Sequence, residues 1–147
     1  MLPDYRPEPF GDFSGDRRAA MQRALRHVAG QLGATHPIVI NGEHLLREEK
    51  LASLNPAEPR RVVGYLAKAD QELANQAVNA AEAAFASWRR VPVEARARVL
   101  LRAAAIMRRN REELAAWMVY EVSKTWVEAD ADVAEAIDFC EYYARQA

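Results

Sequence analysis

The sequence predicts a mixed α/β chain: one N-terminal helix, a run of short β-strands, then three helices. Three observations carry that reading. Residues 14–33 repeat their apolar side chains at spacings of three and four. Residues 36–70 combine two apolar runs with turn residues, among them the pair Asn41-Gly42. The last glycine is Gly64, so 83 residues follow without one, and only Pro92 interrupts the helical pattern that begins at residue 70.

Taken in order, residues 1–13 (MLPDYRPEPFGDF) hold three prolines and read as an extended arm. In the segment 14–33, Met21, Leu25, Val28 and Leu32 share one face, and Gly33 is placed as its stop. The β segment pairs "PIVI" with the Asn41-Gly42 hairpin signal. "RRVVGYLAK" is its second apolar run, and "NPAEP" between them is a turn. Asp70 is expected to cap a helix carrying the stripe Ala74, Val78, Ala81, Phe85 and Trp88. Pro92 then opens a helix with Leu100, Ala103, Met107, Leu114, Met118 and Glu121 along one face. Unbroken to Lys124, it would be ~45–50 Å long at 1.5 Å per residue. "SKTW" ends it, and "TWVE" (125–128) has the form of a capping box, with Thr125 as N-cap and Glu128 three residues on.

Composition narrows the function classes. The chain has 147 residues, 50% hydrophobic and 28% charged, enough for one domain with a core. A net charge of −1 gives no whole-molecule field to attract nucleic acid or an anionic membrane. The single cysteine, Cys140, excludes an intrachain disulfide and fits a reducing compartment. The N-terminus has no apolar core of a signal peptide, and no run approaches the ~18 apolar residues of a membrane span. A soluble, cytoplasmic protein is expected. The balance hides a local asymmetry: residues 88–111 carry eight arginines and one acid, whereas residues 112–147 carry nine acids and two cations.

The acidic end raises the functional question. Six carboxylates fall in fourteen positions: Glu128, Asp130, Asp132, Glu135, Asp138 and Glu141. At 100° per residue, Trp126, Val133, Ile137 and Cys140 form the apolar face, and Glu128, Asp132 and Glu135 cluster opposite, beside Phe139 and Tyr142. Like charges at i,i+4 repel, but acids in the first turns are favoured by the helix dipole. Glu128, Asp130 and Asp132 therefore need no functional explanation, while Glu135 and Asp138 lie too far along for that one. Two readings of these acids stand open: a solvated face paired with the arginines of 89–111, or a carboxylate beside aromatic rings that meets a cationic ligand such as an ammonium.

Other chemistry is thin. His27, His36 and His44 have no ligand spacing, a straight helix cannot wrap its acids around calcium, and no metal site is expected. There is no glycine-rich phosphate loop. Cys140 lies on the apolar face, unlike a reactive thiolate. The arginine run lacks interleaved stacking aromatics, so no nucleic-acid partner is expected.

The motifs carry a further resemblance. "VINGEH", "SLNPAEP" and "VVGYLAKAD", followed by a helix with Trp88 near its end, resemble the N-terminal region of the aldehyde dehydrogenase superfamily. "RAAAIMRRNREELAAWMVYEVSKTWVEADADVAEAIDFCEYYARQA" (102–147) is more specific and resembles the bacterial L-glutamate γ-semialdehyde (1-pyrroline-5-carboxylate) dehydrogenases. The likeness runs from about Pro37 to Ala147 and more loosely back to Asp16. It implies the N-terminal part of an aldehyde-dehydrogenase-like fold. It implies NAD-dependent oxidation of glutamate semialdehyde to glutamate in proline degradation, by a homo-oligomer of the complete enzyme. In that chemistry a thiolate attacks the aldehyde, hydride leaves to the nicotinamide, and water hydrolyses the thioester. The family's nucleophile, general base and dinucleotide-binding half have no counterpart in this chain, and Cys140 does not match the nucleophile. Residues 14–147 are thus expected to be an N-terminal segment of the NAD-binding domain, stopping before the Rossmann core and catalytic domain. No catalytic or cofactor-binding residue is assigned, and the segment alone is expected to be inactive. One family residue carries over: the glutamate between two alanines in "DVAEAIDF", here Glu135, which contacts the substrate's amino end. One departure is visible: the family's "E-x-G-K" has Ser123 in place of glycine, which suits the turn less well.

Two readings from other classes compete: a free-standing helical binding or scaffold module, and a nucleic-acid binder using the arginine helix. The reading frame downstream of residue 147 discriminates the first, and steep salt dependence on a heparin column the second.

Overall fold

A computed structural model describes residues 4–147. Its elements run α1 (Gly15–Ala29), β1 (Ala34–His36), β2 (Ile38–Ile40), β3 (Glu43–Leu45), β4 (Lys50–Leu54), β5 (Val62–Ala67), α2 (Gln71–Trp88), α3 (Val93–Arg109), α4 (Arg111–Val122) and α5 (Trp126–Gln146). The mixed helix-and-strand composition follows the expected order, with one helix more than the sequence pattern suggested. Among the described residues, no helix is long and apolar enough to cross a membrane. The chain divides into two compact units, residues 1–31 with 92–147, and residues 32–91.

The unit of residues 32–91 holds the strands and α2. The hairpin predicted at Asn41-Gly42 joins β2 to β3, antiparallel with Ile38 opposite Leu45. Both turn residues have positive φ, 51° and 81°, which explains why this dipeptide occupies the turn. β5 is the centre of a three-stranded sheet, parallel to β1 and antiparallel to β4, with an irregularity at Ser53/Leu54. Gly64 faces the neighbouring strand so closely that a Cβ would lie 3.3 Å from the His36 ring. The "NPAEP" turn is held by Asn55, a buried residue whose side chain accepts from the Ala57 N–H at 2.9 Å. Asp70 caps α2 as expected, accepting from the Leu73 N–H at 2.9 Å. Leu73 is the buried residue of α2. Val78, Phe85 and Trp88, from the predicted stripe, are exposed.

The other unit is helical. Here α5 packs against α3 and α4, and α4 against α1. Met21 and Val28 are the fully buried anchors of α1, and the Tyr120 hydroxyl of α4 donates to the Leu25 carbonyl at 3.3 Å. Much of the remaining core is alanine: Ala97 and Ala104 on α3, Ala115 and Ala116 on α4, Ala129, Ala134 and Ala144 on α5. Small side chains let helix axes approach closely, so burial is achieved with little side-chain entropy.

Two expectations are corrected here. α1 ends at Ala29, not at residue 33: the Gly30 N–H already bonds the Arg26 and His27 carbonyls. Gly33, at φ 83°, instead turns the chain into β1 and donates to the Val63 carbonyl at 3.0 Å. The helix opened by Pro92 does not run unbroken to Lys124. Asn110 leaves helical geometry at φ −107°, ψ 21°, ending α3 and starting α4. Asparagine favours such boundaries because its side chain competes with the backbone ladder. The break is followed by Arg111, one of the buried charged residues of the unit.

Ser123, where the resembled motif has glycine, stands at φ 56°, ψ 32°, a left-handed C-cap. A Cβ there costs on the order of 1–2 kcal/mol, which glycine avoids, less the extra freedom glycine has when unfolded. Ser123→Gly is therefore expected to raise stability by about 1 kcal/mol. Chemical denaturation checks it through a higher midpoint at unchanged slope.

Candidate functional site

α5 carries the candidate site, and its start is locally determined. The Thr125 hydroxyl accepts from the Glu128 N–H at 3.3 Å, and Glu128 Oε2 accepts from the Thr125 N–H at 3.0 Å, completing the predicted capping box. The hydrogen bonds from Thr125, side chain then backbone, hold the Glu128 carboxyl below its usual pKa. Glu128 is thus a cap of its own helix.

The other acids sort by partner. Asp132 pairs with Lys124. Glu141 accepts from Arg108 at 2.6 Å and from Arg145 at 2.5 Å. Burial would raise the Glu141 pKa, but these two arginines outweigh it and the net shift is downward. Asp138 accepts the Glu8 N–H at 2.8 Å.

Asp130 is different in kind. Only 2% of its surface is exposed. Oδ1 accepts from Arg111 Nε at 2.6 Å and from Arg17 at 2.5 Å, and Oδ2 accepts from Arg111 Nη2 at 2.8 Å and from the Gly11 N–H at 2.6 Å. Burial pushes its pKa up, yet the bonds from Arg111 and Gly11 with the charges of Arg111 and Arg17 win, and the net shift is downward. Arg111 reaches further, to Glu8 at 3.2 Å and to the Pro9 carbonyl at 2.9 Å, and Arg108 bonds Glu8 at 2.8 Å. The N-terminal arm is thereby fastened along the helices. By charge and position alone Asp130 belongs with the acids of the helix start. Its signal was its register: with Val133, Ala134 and Ile137 it forms an i, i+3, i+4, i+7 set on the buried face.

Five of the six acids are thus engaged. Among the described residues, Glu135 is the one with no hydrogen bond or ion pair. It is exposed, one turn before Phe139 and two before Tyr142, which are themselves exposed. The rings form a row: Phe139 stacks on Tyr143 at 6.0 Å, Tyr143 meets Tyr142 edge-on at 5.4 Å, and Tyr142 meets Tyr5 of the arm edge-on at 5.6 Å. An uncommitted carboxylate beside aromatic faces can accept hydrogen bonds from an ammonium while the rings favour the cation. The paired-face reading of the acidic segment therefore holds for Asp130 and Glu141, which bond arginines of 89–111, and Glu135 stays outside that pairing.

Elsewhere the chemistry is sparse. Among the described residues, no three His, Cys, Asp or Glu side chains are grouped to hold a metal ion. Cys140 is a free, half-buried thiol.

Comparison with known proteins shows the family. Residues 45–147 match the aldehyde dehydrogenase family. The chain is 51% identical, over 99% of its length, to 1-pyrroline-5-carboxylate dehydrogenase 2 of Halalkalibacterium halodurans. It is 50% identical to the 1-pyrroline-5-carboxylate dehydrogenase of Geobacillus thermodenitrificans over the same share. It spans 28% of the length of these curated relatives. The crystal structure of the Thermus 1-pyrroline-5-carboxylate dehydrogenase with bound NAD superposes with a TM-score of 0.96 at 50% identity, covering 99% of this chain and 28% of that one. The NAD-bound Mycobacterium tuberculosis enzyme gives 0.90 at 30% identity, covering 98% of this chain and 28% of that one.

Proposed function

The chain belongs to the aldehyde dehydrogenase family, and from that premise we propose that a polypeptide containing it oxidises L-glutamate γ-semialdehyde to L-glutamate with NAD⁺. What carries the reading is the near-complete match of this chain to 1-pyrroline-5-carboxylate dehydrogenases at about half identity, from the arm through α5. Residues 14–147 are the N-terminal segment of the NAD-binding domain in this reading, the complete enzyme is a homo-oligomer, and its setting is the cytoplasm.

In this reading no described residue is assigned to the dinucleotide. β5 leads into α2 through Lys68-Ala69-Asp70, without the glycine-rich turn that lets a pyrophosphate approach the backbone. No step assigned to this chain passes through NAD. Its contribution is recognition. The substrate is an α-amino acid aldehyde, and near pH 7 its amine is an ammonium. The Glu135 carboxylate accepts hydrogen bonds from that ammonium and orients the aldehyde away from α5. Phe139 and Tyr142 border the contact and limit its solvation once the site is closed.

The test is NADH formation by the purified enzyme-length polypeptide that begins with this chain. Glutamate semialdehyde is expected to be turned over in preference to an aldehyde of similar length without an amino group. Equal turnover of the two, or none of either, would overturn the substrate reading.

A further inference from the structure

The arm ends its course at the ring row rather than merely lying on the helices. Residues 4–13 form no helix or strand, yet the segment is held at three residues, Gly11, Pro9 and Glu8. Gly11 N–H bonds Asp130, the Pro9 carbonyl accepts from Arg111, Glu8 pairs with Arg108 and Arg111, and Glu8 N–H bonds Asp138. Tyr5 follows, its ring against Tyr142 at 5.6 Å with the planes 79° apart. Asp138, which accepts from the Glu8 N–H, also lies close enough to Tyr5 to act on its hydroxyl. Burial, and then Asp138, raise the Tyr5 pKa above its ordinary value. On α5, Tyr142 lies one turn beyond Asp138 and two turns beyond Glu135. Tyr142 is 43% exposed, so its ring has room to leave its place when nothing braces it.

We infer that Tyr5 is a positioning residue: the arm, pinned through Glu8 and Gly11, holds the Tyr142 ring on the helix face that carries Glu135 two turns earlier, and so shapes the face that reads the substrate's ammonium. Glu135 touches the ligand, and Tyr5 acts through Tyr142. The inference rests on the reading of Glu135 given above. It assigns the otherwise unexplained aromatic at the start of the arm a part in specificity.

The test has two arms. In the 147-residue chain, the Tyr142 ring resonances are followed by NMR in Tyr5→Ala and Tyr5→Phe. Tyr5→Ala is expected to shift and average them, and Tyr5→Phe, which keeps the edge-on contact, to leave them near their original positions. Unmoved resonances in Tyr5→Ala overturn the proposal. In the enzyme-length polypeptide, Tyr5→Ala is expected to raise KM for glutamate semialdehyde about 2–10-fold, the worth of one aromatic pair, with kcat retained. An aldehyde lacking the amine should be unaffected, and Tyr5→Phe should restore the KM. A Tyr5→Ala effect equal on both aldehydes, or absent from both, overturns the positioning role. Glu135→Ala run in parallel separates the two readings. If it separates the aldehydes and Tyr5→Ala does not, only the arm's role falls. If Glu135→Ala fails to separate them, the substrate reading falls and takes this one with it.

Discussion

Asp130→Ala is expected to cost the helical unit about 3–5 kcal/mol, the range for breaking a buried ion pair, because the buried Arg111 loses its two-bond partner and keeps only Glu8, at 3.2 Å, as a charged one. Arg111 is 92% buried at its side chain and gives Asp130 two of its hydrogen bonds, so it cannot turn to water without unpacking α4 from α5. The Gly11 N–H loses its acceptor in the same variant, which loosens the arm. A loss of this size is a large fraction of a typical domain's stability. The double variant Arg111→Met, Asp130→Leu should lose clearly less than the sum of the single changes, since a buried pair can be replaced by apolar groups at little cost. The pH dependence has a definite sign. The folded-state pKa of Asp130, like that of Glu141, lies below its unfolded value. Their stabilisation is present in full above the ordinary carboxylate pKa and is lost as pH falls through the lower folded value. Urea midpoints at neutral and acidic pH measure all three effects. An Asp130→Ala chain as stable as the parent at pH 7, or a parent that gains stability on acidification, would remove the buried cluster as the organiser of this unit.

The contrast between what could and could not be read from the sequence follows range of interaction. The Asn41-Gly42 hairpin, the Asp70 cap and the Thr125–Glu128 capping box each depend on residues within four positions of one another, and each formed as expected. The break at Asn110 leaves no mark in the sequence pattern, because the apolar periodicity runs through it. What decides it lies across the fold, where Arg111 meets an aspartate 19 residues away. Gly33 suits a helix end by its residue type alone, while the hydrogen bonds of Gly30 end the helix earlier. Asp130 was read by its charge and not by its register. The arm was recognised as extended, but its partners lie 100 or more residues away and no local pattern announces them. Ser123 was noticed against a family motif, and its left-handed backbone gives the reason glycine suits that position. The role given to Glu135 came from resemblance. Its helix position alone left open whether it was a solvated acid, and what sets it apart is that the neighbouring acids are engaged by Thr125, Lys124, the arginines and the arm.

The second large effect concerns that residue. A hydrogen bond between charged groups away from bulk water is worth roughly 1.5–3 kcal/mol, so Glu135→Ala should lower kcat/KM for glutamate semialdehyde by about 10–100-fold. The ammonium is remote from the reacting carbonyl and carries the same charge before and during reaction. The contact therefore acts alike on ground and transition states and should appear in KM, with kcat largely kept. Stability should hardly change, because Glu135 is exposed and, among the described residues, bonded to nothing. In this it differs from Asp130, whose loss acts on folding, and from Thr125, whose loss uncaps α5. The deciding measurement is steady-state kinetics of the Glu135→Ala enzyme-length polypeptide on glutamate semialdehyde and on an aldehyde of similar length without an amine. A 10–100-fold loss confined to the amino acid aldehyde is the outcome expected from a carboxylate that reads the ammonium. An equal loss on both, or no change on either, would make Glu135 an ordinary surface acid of α5.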